Sequence, residues 1–145
     1  METRQITSER YASYVQLFMS VFNQPPWNDQ WTKEKAALYL KDIFNTPGFI
    51  GVEALKNNQP VAVVIGNHKH WWSGDEFFIQ EMFVSKAEQG KGIGKELFKY
   101  LTVLLEERNI SNLSLLTDKG IDAEYFYKAN GMKQIERLIF FSKEI

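Results

Sequence analysis

The chain has 145 residues, a length that fits a single domain over 1–145 whose folding buries roughly 70% of the unfolded surface. Its 17 basic and 18 acidic residues leave a net charge of −1, which argues against the concentrated cationic surplus of a nucleic-acid binder. Absence of cysteine excludes disulfides, thiolate nucleophiles and cysteine metal sites, and no apolar run approaches the roughly 20 residues of a membrane span, so a cytoplasmic location with no membrane partner is expected.

Residues 2–8 suit a first strand, and Ser8 is placed to cap a helix from Glu9 to about Phe22 with Tyr11, Tyr14, Val15, Phe18 and Phe22 near one face. Pro25-Pro26 break that helix, Thr32 starts a second one through Leu40 to Phe44, and Pro47-Gly48 stop it. Apolar runs at 49–55 and 61–65 flank a hairpin turn over Lys56-Asn57-Asn58-Gln59-Pro60, and a second turn at 71–75 precedes a strand at 77–84. From Gly92 the period becomes helical, with Ile93, Leu97, Leu101, Leu104 and Leu105 on one face as far as Arg108. A short buried strand at 112–116, a helix at 122–128 ended by Asn130-Gly131, and a closing strand at 138–141 complete an α/β domain with a mixed sheet.

Between the strand ending at Val84 and the helix opening at Gly92 lies Gln89-Gly90-Lys91-Gly92-Ile93-Gly94-Lys95. Alternating glycines bring backbone amides close to a ligand, and a helix N-terminus attracts phosphate through its free N–H groups. Lys91 and Lys95 add positive charge, so the loop suits a diphosphate. It lacks the G-x-G-x-x-G spacing of a dinucleotide site, and Gly94-Lys95 is followed by Glu96 where a nucleoside-triphosphate loop needs Ser or Thr.

The loop resembles the Q/R-x-x-G-x-G/A signature of the GCN5-related N-acetyltransferase (GNAT) superfamily, matched by Gln89, Gly92 and Gly94. A second stretch, Ala123-Glu124-Tyr125-Phe126-Tyr127-Lys128-Ala129-Asn130-Gly131-Met132, resembles the family's A-x-x-F-Y-x-x-x-G-F segment, with Met132 in place of the final Phe. The resemblance implies a mostly antiparallel sheet of six to seven strands, about four helices and a splayed parallel strand pair. It implies acetyl-CoA as acyl donor, held by backbone groups of Met82, Phe83 and Val84 and by residues Gln89, Gly90, Lys91, Gly92, Ile93, Gly94 and Lys95. Tyr127 aligns with the tyrosine that stands near the thioester sulfur.

The chemistry assigns further roles. An alkyl ammonium with a pKa near ~10.4 must lose a proton before it attacks a thioester, and the departing thiolate must gain one. Tyr127 is the expected acid. Glu81, on the face read as shared with Ile79 and Phe83, is the expected base, directly or through water; Glu53 and His68 are weaker alternatives. The first two helices and their connection are expected to wall the acceptor site, with Trp27 and Trp31 touching substrate and Trp71 and Trp72 within reach. His68 and His70 lack an evident third ligand, so no metal is expected. The reading is an acetyltransferase acting by direct transfer on a small-molecule amine, with a homodimer allowed. A non-catalytic acyl-CoA sensor and a peptide or protein acetyltransferase are the alternatives.

Overall fold

A computed structural model describes all 145 residues. The elements follow the expected order: β1 (Glu2–Gln5), α1 (Tyr11–Phe22), α2 (Lys33–Phe44), β2 (Phe49–Lys56), β3 (Gln59–Lys69), β4 (Glu76–Val84), α3 (Ile93–Glu107), β5 (Asn112–Ser114) and α4 (Asp122–Ala129). The sheet has the order β1-β2-β3-β4-β5, antiparallel except for the parallel pair β4–β5. Thr32 caps α2 by accepting the Lys35 N–H at 3.1 Å. Asn57 and Asn58, at φ 52° and 62°, form the two-residue turn whose twist suits the β2–β3 hairpin. Ser8 makes no capping hydrogen bond; a 3-10 turn at Ser8–Arg10 leads into α1 instead.

Helices cover both faces of the sheet. On one face, Val63, Ile65 and Phe83 pack against α1 and α2; on the other, Ala62, Val64, Phe77 and Ile79 pack against α3. The alternation along β3 follows the strand period of two. In β4 that period is interrupted. Ile65 pairs with Glu81 whereas Gly66 pairs with Ile79, so Gln80 is an extra, unpaired residue: a β-bulge. Gly66 sits opposite it, and a Cβ there would stand 2.0 Å from the Phe78 carbonyl oxygen. The bulge reverses the phase of the strand, so Glu81 and Phe83 do not share a face with Ile79. Phe83 joins the α1–α2 side and Ile79 the α3 side.

Two edges of the sheet are shorter than expected. β5 ends at Ser114, and residues 138–141 form no strand, leaving five strands where six to seven were anticipated. Leu138, Ile139, Phe140 and Phe141 are exposed by 59–82%. Four consecutive apolar residues put hydrophobic side chains on both faces of a strand, which then needs cover on both faces. Their own chain does not supply it.

Candidate active site

β4 and β5 are bonded at three positions only, Glu76↔Asn112, Phe77↔Leu113 and Phe78↔Ser114. Immediately beyond, the bulge at Gln80 bends β4, and the chain after Ser114 leaves the sheet. A cleft of about 400 Å³ opens in the gap, with Ile79, Gln80, Glu81 and Met82 on one bank and Leu115, Leu116, Thr117 and Asp118 on the other. Phe18 and Phe22 of α1, then Trp27, Asp29 and Trp31 from the α1–α2 connection, form one end; Ala123 and Tyr127 of α4, with Phe140, form the other.

Glu81 and Tyr127 thus line the same cleft. The Tyr39 hydroxyl of α2 donates to Glu81 Oε1 at 2.8 Å. Tyr39 is held by stacking on Trp31, with centroids 5.2 Å apart at 23°, and Trp31 Nε1 donates to Asp29 at 3.0 Å. Burial pushes the Glu81 carboxyl up from 4.5 to about 7, against the lowering effect of the Tyr39 hydrogen bond and with a smaller upward push from Asp29. Burial raises Tyr127 to about 12, reinforced by the charge of Glu81. Burial thus brings the Glu81 carboxyl toward the neutral range and keeps the Tyr127 phenol protonated there.

The glycine loop occupies the C-terminal end of β4. Gly90 and Gly92 have φ of 80° and 82°, which disfavours any residue with a Cβ, and open space lies where those Cβ atoms would be. Backbone N–H groups of Gly90, Lys91, Gly92, Ile93, Gly94 and Lys95 find no backbone acceptor; the first such bond is Glu96 N–H to Gly92 at 3.1 Å. This run of free donors, at the N-terminus of a 15-residue helix, is an anion cradle. Gly94 has a different reason to be small. A Cβ there would lie 3.3 Å from the Phe126 ring, so the two sequence signatures meet at this contact. Gln89 Nε2 donates to the Val84 carbonyl at 3.0 Å, tying the loop to the strand. Of the lysines, Lys91 is drawn to Glu88 at 3.5 Å, a carboxyl held below its usual range chiefly by Lys56 at 3.0 Å; Lys95 is exposed.

Comparison with known proteins bears directly on this arrangement. The sequence model described as the Acetyltransferase (GNAT) family matches residues 12–132, most of the chain. The chain belongs to the GNAT acetyltransferase family. No protein of curated function matches the sequence. Among solved structures, an integron cassette protein from the mobile metagenome of V. cholerae superposes with a TM-score of 0.82 at 19% identity, covering 99% of this chain and 91% of that one. A possible acetyltransferase from Clostridium difficile 630 gives 0.83 at 17% identity, with 99% and 97% covered. An aminoglycoside acetyltransferase from an uncultured soil metagenomic sample, solved in complex with sisomicin, gives 0.77 at 19% identity, with 99% and 95% covered.

Several expectations for this GNAT domain fall outside the cleft. Trp71 and Trp72 are 57% and 89% exposed at the β3–β4 turn and do not line it. Glu53 is fully buried elsewhere, accepting from Tyr14 at 2.8 Å and pairing with Arg4 at 3.1 Å, where it clamps β1 and α1 to β2. His68 also points away: His68 Nε2 and His70 Nδ1 lie 2.8 and 3.0 Å from one oxygen of Asp75, the third group that sequence spacing did not reveal. The Phe83 side chain is core, and its backbone bonds to β3 by the alternation of the ladder. Tyr39, Asp29 and Asp118 were missed. Tyr39 reads in sequence as one more position of α2, and only the tertiary fold brings its hydroxyl to Glu81.

Proposed function

We propose that the protein transfers the acetyl group of acetyl-CoA to a primary amine of a small, cationic acceptor. The observation that carries this reading is the placement of Glu81 and Tyr127 in one cleft, beside the free edge of β4 and the anion cradle of Gly90 to Lys95. The cradle fits a pyrophosphate, and the backbone of Met82 and the Val84 N–H, on the side of β4 that β5 has left, fit an extended amide-bearing arm; Phe83 bonds to β3 by the alternation of the ladder, and the Val84 carbonyl accepts from Gln89. Acetyl-CoA supplies an acyl group activated as a thioester.

The residues of this chain handle the protons. The acceptor enters as an ammonium of pKa near ~10.4, and Glu81 at about 7 takes its proton at an uphill cost of roughly 4–5 kcal/mol; an ordinary carboxyl at 4.5 would face roughly 8. Burial thus makes Glu81 a base suited to neutral pH. Tyr127 stays protonated and donates a hydrogen bond to the departing sulfur. Because a thiolate of pKa near ~8.5 is a weaker base than this phenolate, the hydroxyl stabilises the sulfur as the C–S bond breaks without surrendering its proton outright. The proton that the attacking nitrogen loses as the amide forms goes to the thiolate, giving the free thiol.

The lining favours a cation carrying more than one charge. Asp29, Glu81 and Asp118 line the cleft and no Lys, Arg or His does; Trp27, with Lys86 Nζ 5.9 Å from its ring centroid, and Trp31, stacked on Tyr39, border it. The fold shared with an aminoglycoside acetyltransferase supports the same class of acceptor. The test is thermal stabilisation by acetyl-CoA, followed by thiol release across aminoglycosides, polyamines, amino acids and peptides near pH 7.5. Saturable turnover on polyamines or aminoglycosides is the expected result. Failure of acetyl-CoA to raise the melting temperature refutes the donor assignment. Stabilisation without turnover on any acceptor makes the domain an acyl-CoA sensor.

A further inference from the structure

The turn between β3 and β4 gathers a side-chain cluster that the cleft chemistry does not use. His68 lies in β3, His70 just beyond its end, and Asp75 just before β4. Strand alternation puts the two imidazoles on one side and Lys69 on the other, where its Nζ lies 5.4 Å from the Phe78 ring centroid. The imidazole centroids stand 4.8 Å apart, and His68 Nε2 and His70 Nδ1 converge on Asp75 Oδ2 at 2.8 and 3.0 Å. Asp75 Oδ1 accepts the Trp71 N–H at 3.3 Å, which orients the carboxylate toward the rings, and no Lys or Arg pairs with it. The turn is fixed by its own backbone. Gly74 N–H donates to the Trp71 carbonyl at 3.2 Å, and Ser111 N–H donates to the Asp75 carbonyl at 2.9 Å just before β5.

We propose that His68, His70 and Asp75 bind one divalent transition-metal ion, Zn²⁺ in type, through Nε2, Nδ1 and a carboxylate oxygen. Sequence spacing offered two histidines and no third ligand; the turn returns Asp75 to them. Two imidazoles and a carboxylate suit Zn²⁺, Ni²⁺ and Co²⁺, whereas Mg²⁺ and Ca²⁺ take oxygen ligands. Bonds of ~2.1 Å in a tetrahedral arrangement need donor atoms roughly 3.4 Å apart. The three donor atoms all lie within 4.8 Å of one another, so small side-chain rotations that open the two hydrogen-bonded edges admit the ion. A neutral imidazole that donates to Asp75 shifts that proton through solvent to its other ring nitrogen and presents a lone pair to the metal. The exposed His70 side chain gives the ion its path of entry. The role is structural, because none of the three residues lines the cleft. The ion fastens the end of β3 to the start of β4, and through the Asp75–Ser111 bond it stiffens the root of the parallel pair β4–β5.

Full-length protein without an affinity tag, stripped by a chelator and titrated calorimetrically with ZnCl₂, is expected to bind one equivalent with a Kd below about 10 μM. His68 and His70 are the only histidines of the chain, so their imidazole NMR signals report the site directly; both are expected to move and to saturate at one equivalent. Zn²⁺ at about 100 times Kd should raise Tm by roughly 5–10 °C, and MgCl₂ at the same concentration should not. His70→Ala, at an exposed side chain, and Asp75→Asn are each expected to weaken Zn²⁺ binding by at least about 10-fold. If Asp75→Asn does not fold, His70→Ala decides alone. Absence of saturable binding below about 100 μM overturns the proposal. So does binding that leaves the imidazole signals unmoved or survives His70→Ala, since the ion then sits elsewhere, and so does an equal response to Mg²⁺.

Discussion

Replacing Glu81 by Gln isolates the effect of one ionisation, because the amide keeps the volume and can still accept the Tyr39 hydrogen bond. In the wild type the carboxyl is raised from 4.5 to about 7, so the folded state holds its proton more tightly than the unfolded chain. The sign follows from linkage: relative stability from this group is complete below 4.5 and is lost as pH rises through about 7. The whole shift corresponds to roughly 3 kcal/mol, of which roughly 2.5 kcal/mol falls between pH 5 and 8. Glu81→Gln does not suffer this loss. Its melting temperature relative to wild type is therefore expected to be higher at pH 8 than at pH 5 by roughly 7–10 °C. In the same preparations the alkaline-rising limb of kcat/KM near pH 7 is expected to vanish, with turnover down by about 10²–10⁴-fold. Two scans and one pH–rate series suffice. A melting difference that is the same at both pH values refutes the burial argument, and a surviving limb near pH 7 in the variant removes Glu81 as the base.

Tyr39→Phe deletes the donor that holds the Glu81 pKa down, so the limb of the pH–rate profile should move above 7; an unmoved limb means that the hydroxyl does not reach the carboxylate in solution. Tyr127→Phe is expected to lower kcat about 10²-fold while leaving acetyl-CoA stabilisation within error, and equal activity would exclude it from the leaving-group step. Gly92→Ala forces a Cβ onto a φ of 82°, which costs roughly 1–2 kcal/mol and should shrink the thermal shift given by acetyl-CoA; an undiminished shift would show that the cradle does not hold the pyrophosphate.

The sequence alone determined what is local. Hydrophobic period located the helices and most strands, since helical spacing at Ile93, Leu97 and Leu101 and the apolar runs of β2 to β4 report one-dimensional burial patterns. Glycine spacing, with Gln89 before it and the Tyr127 segment after it, located the glycine loop and the family, because left-handed φ at Gly92 favours glycine and the Phe126 ring beside Gly94 favours a small residue. The tertiary structure decided whatever depends on phase and on contact across the chain. A single extra residue at Gln80 turned Glu81 away from the face of Ile79 and toward Tyr39, and a period-two reading carries no sign of a bulge. Glu53 and Glu81 are both strand carboxylates in sequence; one is clamped by Arg4 and Tyr14 in the core, and the other borders a cleft with its pKa raised. The apolar run at 138–141 reads in sequence as a closing strand and forms none in the structure, because strand propensity names no partner edge. Pairing is a property of the assembled sheet, which is why that segment stays outside the fold of its own chain.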